Sequence, residues 1–143
     1  TEGGLDVVSQ ISKIKESCKR LTDLGTRVSL FIDADEKQIN AAAETLAPYI
    51  EIHTGHYAGA GNRKKAEKEL ENIKKSIRLA ASLDLKVNAG HGLNYENTGN
   101  IALIPEILEL NIGHSIISRA IFSGLSEAVK EMKAIIDNPK SSL

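Results

Sequence analysis

Residues 86–93, KVNAGHGL, and residues 109–120, ELNIGHSIISRA, follow the same plan. Each is a short β-rich run that breaks at a glycine with a histidine beside it, Gly90-His91-Gly92 in the first and Gly113-His114 in the second. In the second, the run SIISRA (115–120) follows at once and reads as one or two helical turns. Glycine lets a backbone come close to a ligand, and the unpaired N–H groups at a helix start attract an anion. Two consecutive strand ends of this kind suggest one shared phosphate pocket. In a (β/α)8 barrel that pocket lies after strands 7 and 8, at the start of a short extra helix.

The rest of the chain supplies the frame. Val7, Ile11, Ile14, Cys18 and Leu21 form an apolar stripe at helical spacing, with Gly25 as its stop. VSLFID (28–33) is almost continuously apolar, as a buried parallel strand requires. Asp35, with Gln38 three residues on, suggests a capping box for a helix facing inward through Ile39, Ala42, Ala43 and Leu46 and ending at Pro48. YIEIHTG (49–55) alternates, so Glu51 and His53 share one face and Ile50 and Ile52 the other. A loop of small residues, 56–62, leads to a long helix with Ala66, Leu70, Ile73, Ile77 and Ala80 on its inner side. The pattern then predicts a strand over 86–90, a short helix over 97–104 stopped before Pro105, and a strand over 109–112. A last helix turns Leu125, Val129, Met132 and Ile136 inward.

Composition narrows the function classes. A chain of 143 residues suits one domain with a real core. A formal net charge of −1 gives no electrostatic case for nucleic acid or an anionic membrane, and 3% aromatics gives no stacking platform. The lone Cys18 fits a reducing compartment, so a cytoplasmic location is expected. No apolar run approaches the roughly 18–20 residues of a membrane span, and TEGGLDVV is not a signal peptide. The chain opens on Thr1 and runs straight into a helix, whereas an α/β unit normally begins with its strand. Processing, or a start partway through a longer protein, is the expectation.

Strands alternating with helices predict a parallel sheet. In an open four-stranded sheet, Glu51, His53, Asn88 and Asn111 would need costly desolvation on a core face. At the mouth of a barrel they would face ligand and water. The expected fold is therefore α/β, a TIM (β/α)8 barrel, with residues 1–143 a single domain supplying about strands 5–8 and the first half absent from the chain.

VSLFIDAD (28–35), IEIHTG (50–55), KVNAGHGLNYEN (86–97) and ELNIGHSIISRAIFSGL (109–125) closely resemble pyridoxine 5′-phosphate synthase of the deoxyxylulose-phosphate-dependent vitamin B6 pathway. The resemblance runs through essentially the whole chain, including TEGGLDV at its start. It implies a TIM-barrel transferase that condenses 1-deoxy-D-xylulose 5-phosphate with 3-amino-2-oxopropyl phosphate. The products are pyridoxine 5′-phosphate, phosphate and water, with no metal or organic cofactor. It further implies His91 as proton donor, Glu51 as transition-state-stabilising carboxylate, and Gly92, Gly113 and His114 as binders of the aminooxopropyl phosphate. The family's other catalytic histidine, its glutamate base and several substrate-binding groups belong to the first half of the barrel. The resemblance suggests an octamer and small phosphorylated molecules as ligands; from the charge and aromatic content above, no nucleic-acid or membrane partner is expected.

The residues support parts of this independently. A histidine between two glycines has little to pack against, and imidazole exchanges protons near neutral pH. Glu51 could pair with a neighbouring lysine or stabilise cationic character at the mouth. His114 can serve through its backbone N–H. For His53, orienting Glu51 and hydrogen-bonding in the core are both open, while His56 is expected in a loop. Asp33, Asn88 and Asn111 point to the same mouth by parity. The histidine spacing suggests no metal site, and Cys18 is expected in the core. Two other functions compete: a different phosphate-binding barrel enzyme, and a half-barrel that binds phosphate without catalysis.

Overall fold

The computed structural model describes residues 3–139, so the opening Thr1 lies outside the described residues. Four strands, β1 (Ser29–Ile32), β2 (Tyr49–His53), β3 (Lys86–Gly90) and β4 (Ile107–Asn111), form one parallel sheet in that order. Parallel neighbours need long crossovers. Here α2 (Glu36–Glu44) links β1 to β2, and α3 (Gly55–Ala58) with α4 (Arg63–Ser82) links β2 to β3. The last crossover holds α5 (Thr98–Ala102), while α1 (Ile11–Asp23) precedes the sheet and α6 (His114–Ser123) and α7 (Leu125–Asp137) follow it.

Strand alternation splits the sheet into two unlike faces. Leu30, Ile32, Ile50, Ile52, Val87 and Ala89 are buried, and α1, α2 and α4 bring Ile14, Cys18, Ile39, Ala42, Ile73 and Ile77 into the same cluster. Fully burying each of these large aliphatic side chains stabilises by about 1.5–3 kcal/mol, so this face holds the domain together. The opposite face carries Phe31, Glu51, Asn88, Glu109 and Asn111, placed there by registers such as Glu51↔Asn88 and Asn88↔Glu109. Glu109 and Asn111 are exposed. This polar face is what the sequence assigns to a barrel interior; the structure supports an α/β fold with a parallel sheet, of which a TIM-barrel fragment is one form.

Several local expectations are corrected. Asp35 does cap α2, accepting from the N–H groups of Lys37 at 2.9 Å and Gln38 at 3.0 Å. The Gln38 side chain does not return the bond; its Oε1 accepts from Val7 N–H at 2.8 Å and its Nε2 donates to Asp6 at 3.0 Å, tying down the N-terminal segment. Leu46 is not on an inner face. It adopts a left-handed φ of 66° and is 71% exposed, because the chain must leave the helix before Pro48 and buries Thr45 and Ala47 instead. Leu21 is likewise exposed. On α7 the inward residues are Ala128 and Met132, with Leu125 and Val129 outside; Gly124, at φ +79°, turns the chain so that α7 lies against α6 and α5. The loop at 56–62 begins inside α3, β4 starts at Ile107, and α6 runs to ten residues. Among the described residues, no helix is long and apolar enough to cross a membrane.

Candidate active site

β3 ends at Gly90, and the chain turns through His91 (φ 81°) and Gly92 (φ 75°) in succession. Glycine takes this left-handed geometry freely, but for histidine it costs about 1–2 kcal/mol. Thr54, fully buried at the end of β2, holds the turn in place. Its N–H donates to the Gly90 carbonyl at 2.8 Å, and its hydroxyl lies 2.7 Å from both the Gly90 and the His91 carbonyl oxygens. The turn leaves His91 exposed above the sheet. Thr54 was not among the residues the sequence singled out.

Glu51 is oriented by a gap. The register sets His53 against Gly90 and Gly90 against Asn111, so β3 separates Glu51 on β2 from Asn111 on β4. Because Gly90 has no side chain, the two reach across it, and Asn111 Nδ2 donates to Glu51 Oε2 at 2.6 Å. A Cβ on Gly90 would overlap Glu51 Oε1 and stand 2.9 Å from the Asn111 carbonyl oxygen.

His53 does not touch Glu51 by a hydrogen bond. Its Nδ1 lies 2.7 Å from Asp33 Oδ1, its side chain is 3% exposed, and its Nε2 is buried without a partner. It is a hydrogen-bonded core histidine, and the carboxylate places its proton on Nδ1 in the neutral ring. Asp33, His53 and His56 do offer ligand atoms within 4.8 Å of one another, a cluster the histidine spacing did not suggest. The 2.7 Å Asp33–His53 contact is a hydrogen bond, and a tetrahedral ion shared between those two atoms would spread them to about 3.3 Å. His56 lies within α3 rather than in a loop.

The second half of the site is the start of α6. Gly113 is its N-cap and provides no side-chain cap, so the first amides of the helix are free for an anion. By contrast α2 and α4 are capped by Asp35 and Asn62. Ser115 Oγ donates to the Leu93 carbonyl at 2.8 Å and fastens the start of α6 to the loop after β3.

Glu51, His91, Gly92, Gly113 and His114 therefore line one pocket of about 440 Å³, with Phe31, Leu93 and Asn111 completing its wall. Such a site can hold an anion at one end while an imidazole and an oriented carboxylate act on a group at the other. At the opposite end of the same face, the Lys86 ammonium lies 3.4 Å from the Tyr49 hydroxyl and, with Arg27, lowers the pKa of that phenol. A family model described as "Pyridoxal phosphate biosynthesis protein PdxJ" matches residues 1–138.

Proposed function

The chain belongs to the PdxJ family of pyridoxal phosphate biosynthesis proteins, and on that premise we propose that it is a pyridoxine 5′-phosphate synthase. It condenses 3-amino-2-oxopropyl phosphate with 1-deoxy-D-xylulose 5-phosphate, releasing phosphate and water, without a cofactor. The observation that carries this is the convergence of His91, Glu51 and the uncapped start of α6 on one pocket.

The aminooxopropyl phosphate binds with its phosphate on the amides at Gly113 and His114 and beside Gly92, which leaves its amine toward Glu51 and His91. When that amine adds to the sugar ketone and an oxygen must leave, the His91 imidazolium gives the proton that lets it depart as water. The nitrogen becomes cationic as this happens. The Glu51 carboxylate, held by Asn111, stabilises that charge in a site already oriented for it.

Four further strands close the barrel against this sheet, making β1–β4 strands 5–8. Two features support this: on the polar face Glu109 and Asn111 are exposed and Glu51 only half-buried, and β1 and β4 each have only one neighbour in the sheet. The segment carrying those strands supplies the remaining catalytic groups, and the completed enzyme is a cytoplasmic homo-octamer.

The test is turnover of the two phosphates to product by the completed barrel. His91→Ala lowers turnover by about 10²–10⁴-fold and leaves phosphate binding nearly intact. Equal loss of binding and turnover would make His91 a binding residue, and undiminished turnover would remove it from the chemistry.

A further inference from the structure

His91 sits on a turn whose backbone does not fix its ring. Among the described residues no hydrogen bond reaches that imidazole; its carbonyl is held by Thr54, and its ring lies beside Gly55 and against other rings. The nearest is His53, at 4.7 Å between centroids and 69° between planes, with Phe31 more distant at 6.2 Å.

His53 is itself immobilised. Asp33 holds Nδ1 at 2.7 Å, and the Phe31 ring packs edge-on against it at 5.2 Å. Gly55 provides the space for both imidazoles: a Cβ there would overlap His53 Nε2 and come within 3.0 Å of His91 Cδ2. His53 Nε2 is sealed from solvent and has no partner, and Nδ1 is taken by Asp33. What it offers His91 is a fixed surface.

We propose that His53 is a positioning residue: pinned on Asp33, its ring is the stop against which the His91 imidazole rests, facing Glu51 and the anion site. This deepens the assignment of His91 as proton donor and rests on it. The role belongs to a ring held still by its bond to Asp33, so another acceptor in place of that carboxylate should preserve it and loss of the acceptor should not. A misplaced donor about 1 Å from its working position loses on the order of 10²-fold in rate.

The experiment compares His53→Ala and Asp33→Ala with Asp33→Asn, whose amide oxygen can still accept from His53 Nδ1. In isotope-labelled protein, three-bond couplings across χ1 of His91 report a single rotamer in the unsubstituted chain, an average in His53→Ala and Asp33→Ala, and a single rotamer again in Asp33→Asn. In the completed enzyme, His53→Ala lowers kcat by roughly 10–100-fold with KM for both phosphates little changed, because the start of α6 is untouched, and Asp33→Asn keeps most of kcat. A fixed His91 rotamer in His53→Ala, or equal loss of kcat in His53→Ala and Asp33→Asn, overturns the proposal. The couplings need no turnover. If His91→Ala leaves turnover intact, the proton-donor assignment fails while the rotamer result still decides what His53 does.

Discussion

Gly90→Ala tests the geometry of the site through a single methyl group. The backbone at Gly90 lies outside the left-handed region, so alanine is not excluded by conformation. It is excluded by space. The new Cβ would overlap Glu51 Oε1 and stand 2.9 Å from the Asn111 carbonyl oxygen and 3.0 Å from Asn111 Cβ. Glu51 can swing away only by giving up the 2.6 Å bond from Asn111, and Asn111 can retreat only by straining the β3–β4 ladder. Overpacking of this kind destabilises by about 1–3 kcal/mol. A loss of about 2 kcal/mol lowers Tm by roughly 4–8 °C in a domain of this size. The carboxylate is displaced as well, so turnover should fall by on the order of 10²-fold. Gly61→Ala is the matched control, since a Cβ there meets nothing within 4 Å, its backbone lies outside the left-handed region and it does not line the pocket, so stability should hardly change. Thermal unfolding of both variants beside a turnover assay reads the result. A Gly90→Ala protein that melts and turns over like the unsubstituted one would refute the idea that Glu51 and Asn111 meet across an empty position.

Thr54→Val keeps the shape of a fully buried side chain but removes the hydroxyl that serves the His91 carbonyl, and should destabilise by about 1–3 kcal/mol in chemical unfolding. An unchanged midpoint would show that the turn at His91 needs no clamp. Tyr49 should ionise below the ordinary tyrosine range in an ultraviolet pH titration, because Lys86 and then Arg27 favour the phenolate. A depressed folded-state pKa contributes stability that is fully present above the unfolded pKa and lost as pH falls through the folded one. Lys86→Met should move the titration back up, and no movement would discount the contact. Phe122 is 89% exposed and Ile121 77%, and β4 has an open edge on its far side, so the chain alone should self-associate in sedimentation as concentration rises. Phe122→Asp should weaken that association; a monodisperse monomer at all concentrations would contradict it.

The frame was legible because periodicity reports burial directly. The strand at 86–90 and the start of the one at Tyr49 coincide with β3 and β2, and Cys18 is buried as its place on the α1 stripe implied. Parity also placed Glu51 and Asn111 on one face. It could not show that they bond, because they lie 60 residues apart and meet only through the register that sets Gly90 between them. Thr54 was missed for a similar reason: its partners at Gly90 and His91 are 36 and 37 residues away, and a threonine at a strand end has no pattern of its own. The Asp33–His53 pair joins two strand ends whose closeness the sequence suggested without naming the bond. Stripe residues such as Leu46 and Leu125 misled because a turn at each helix end, before Pro48 and at Gly124, redirects the side chains that follow or precede it.

Titration of the labelled chain with inorganic phosphate, followed through its backbone amides, tests the shared anion pocket most directly. The amide signals of His114 and Ser115, at the one uncapped start among α2, α4 and α6, should shift and saturate together with Gly92 across the pocket. Saturating shifts at the starts of α2 or α4, with His114, Ser115 and Gly92 unmoved, would contradict the account.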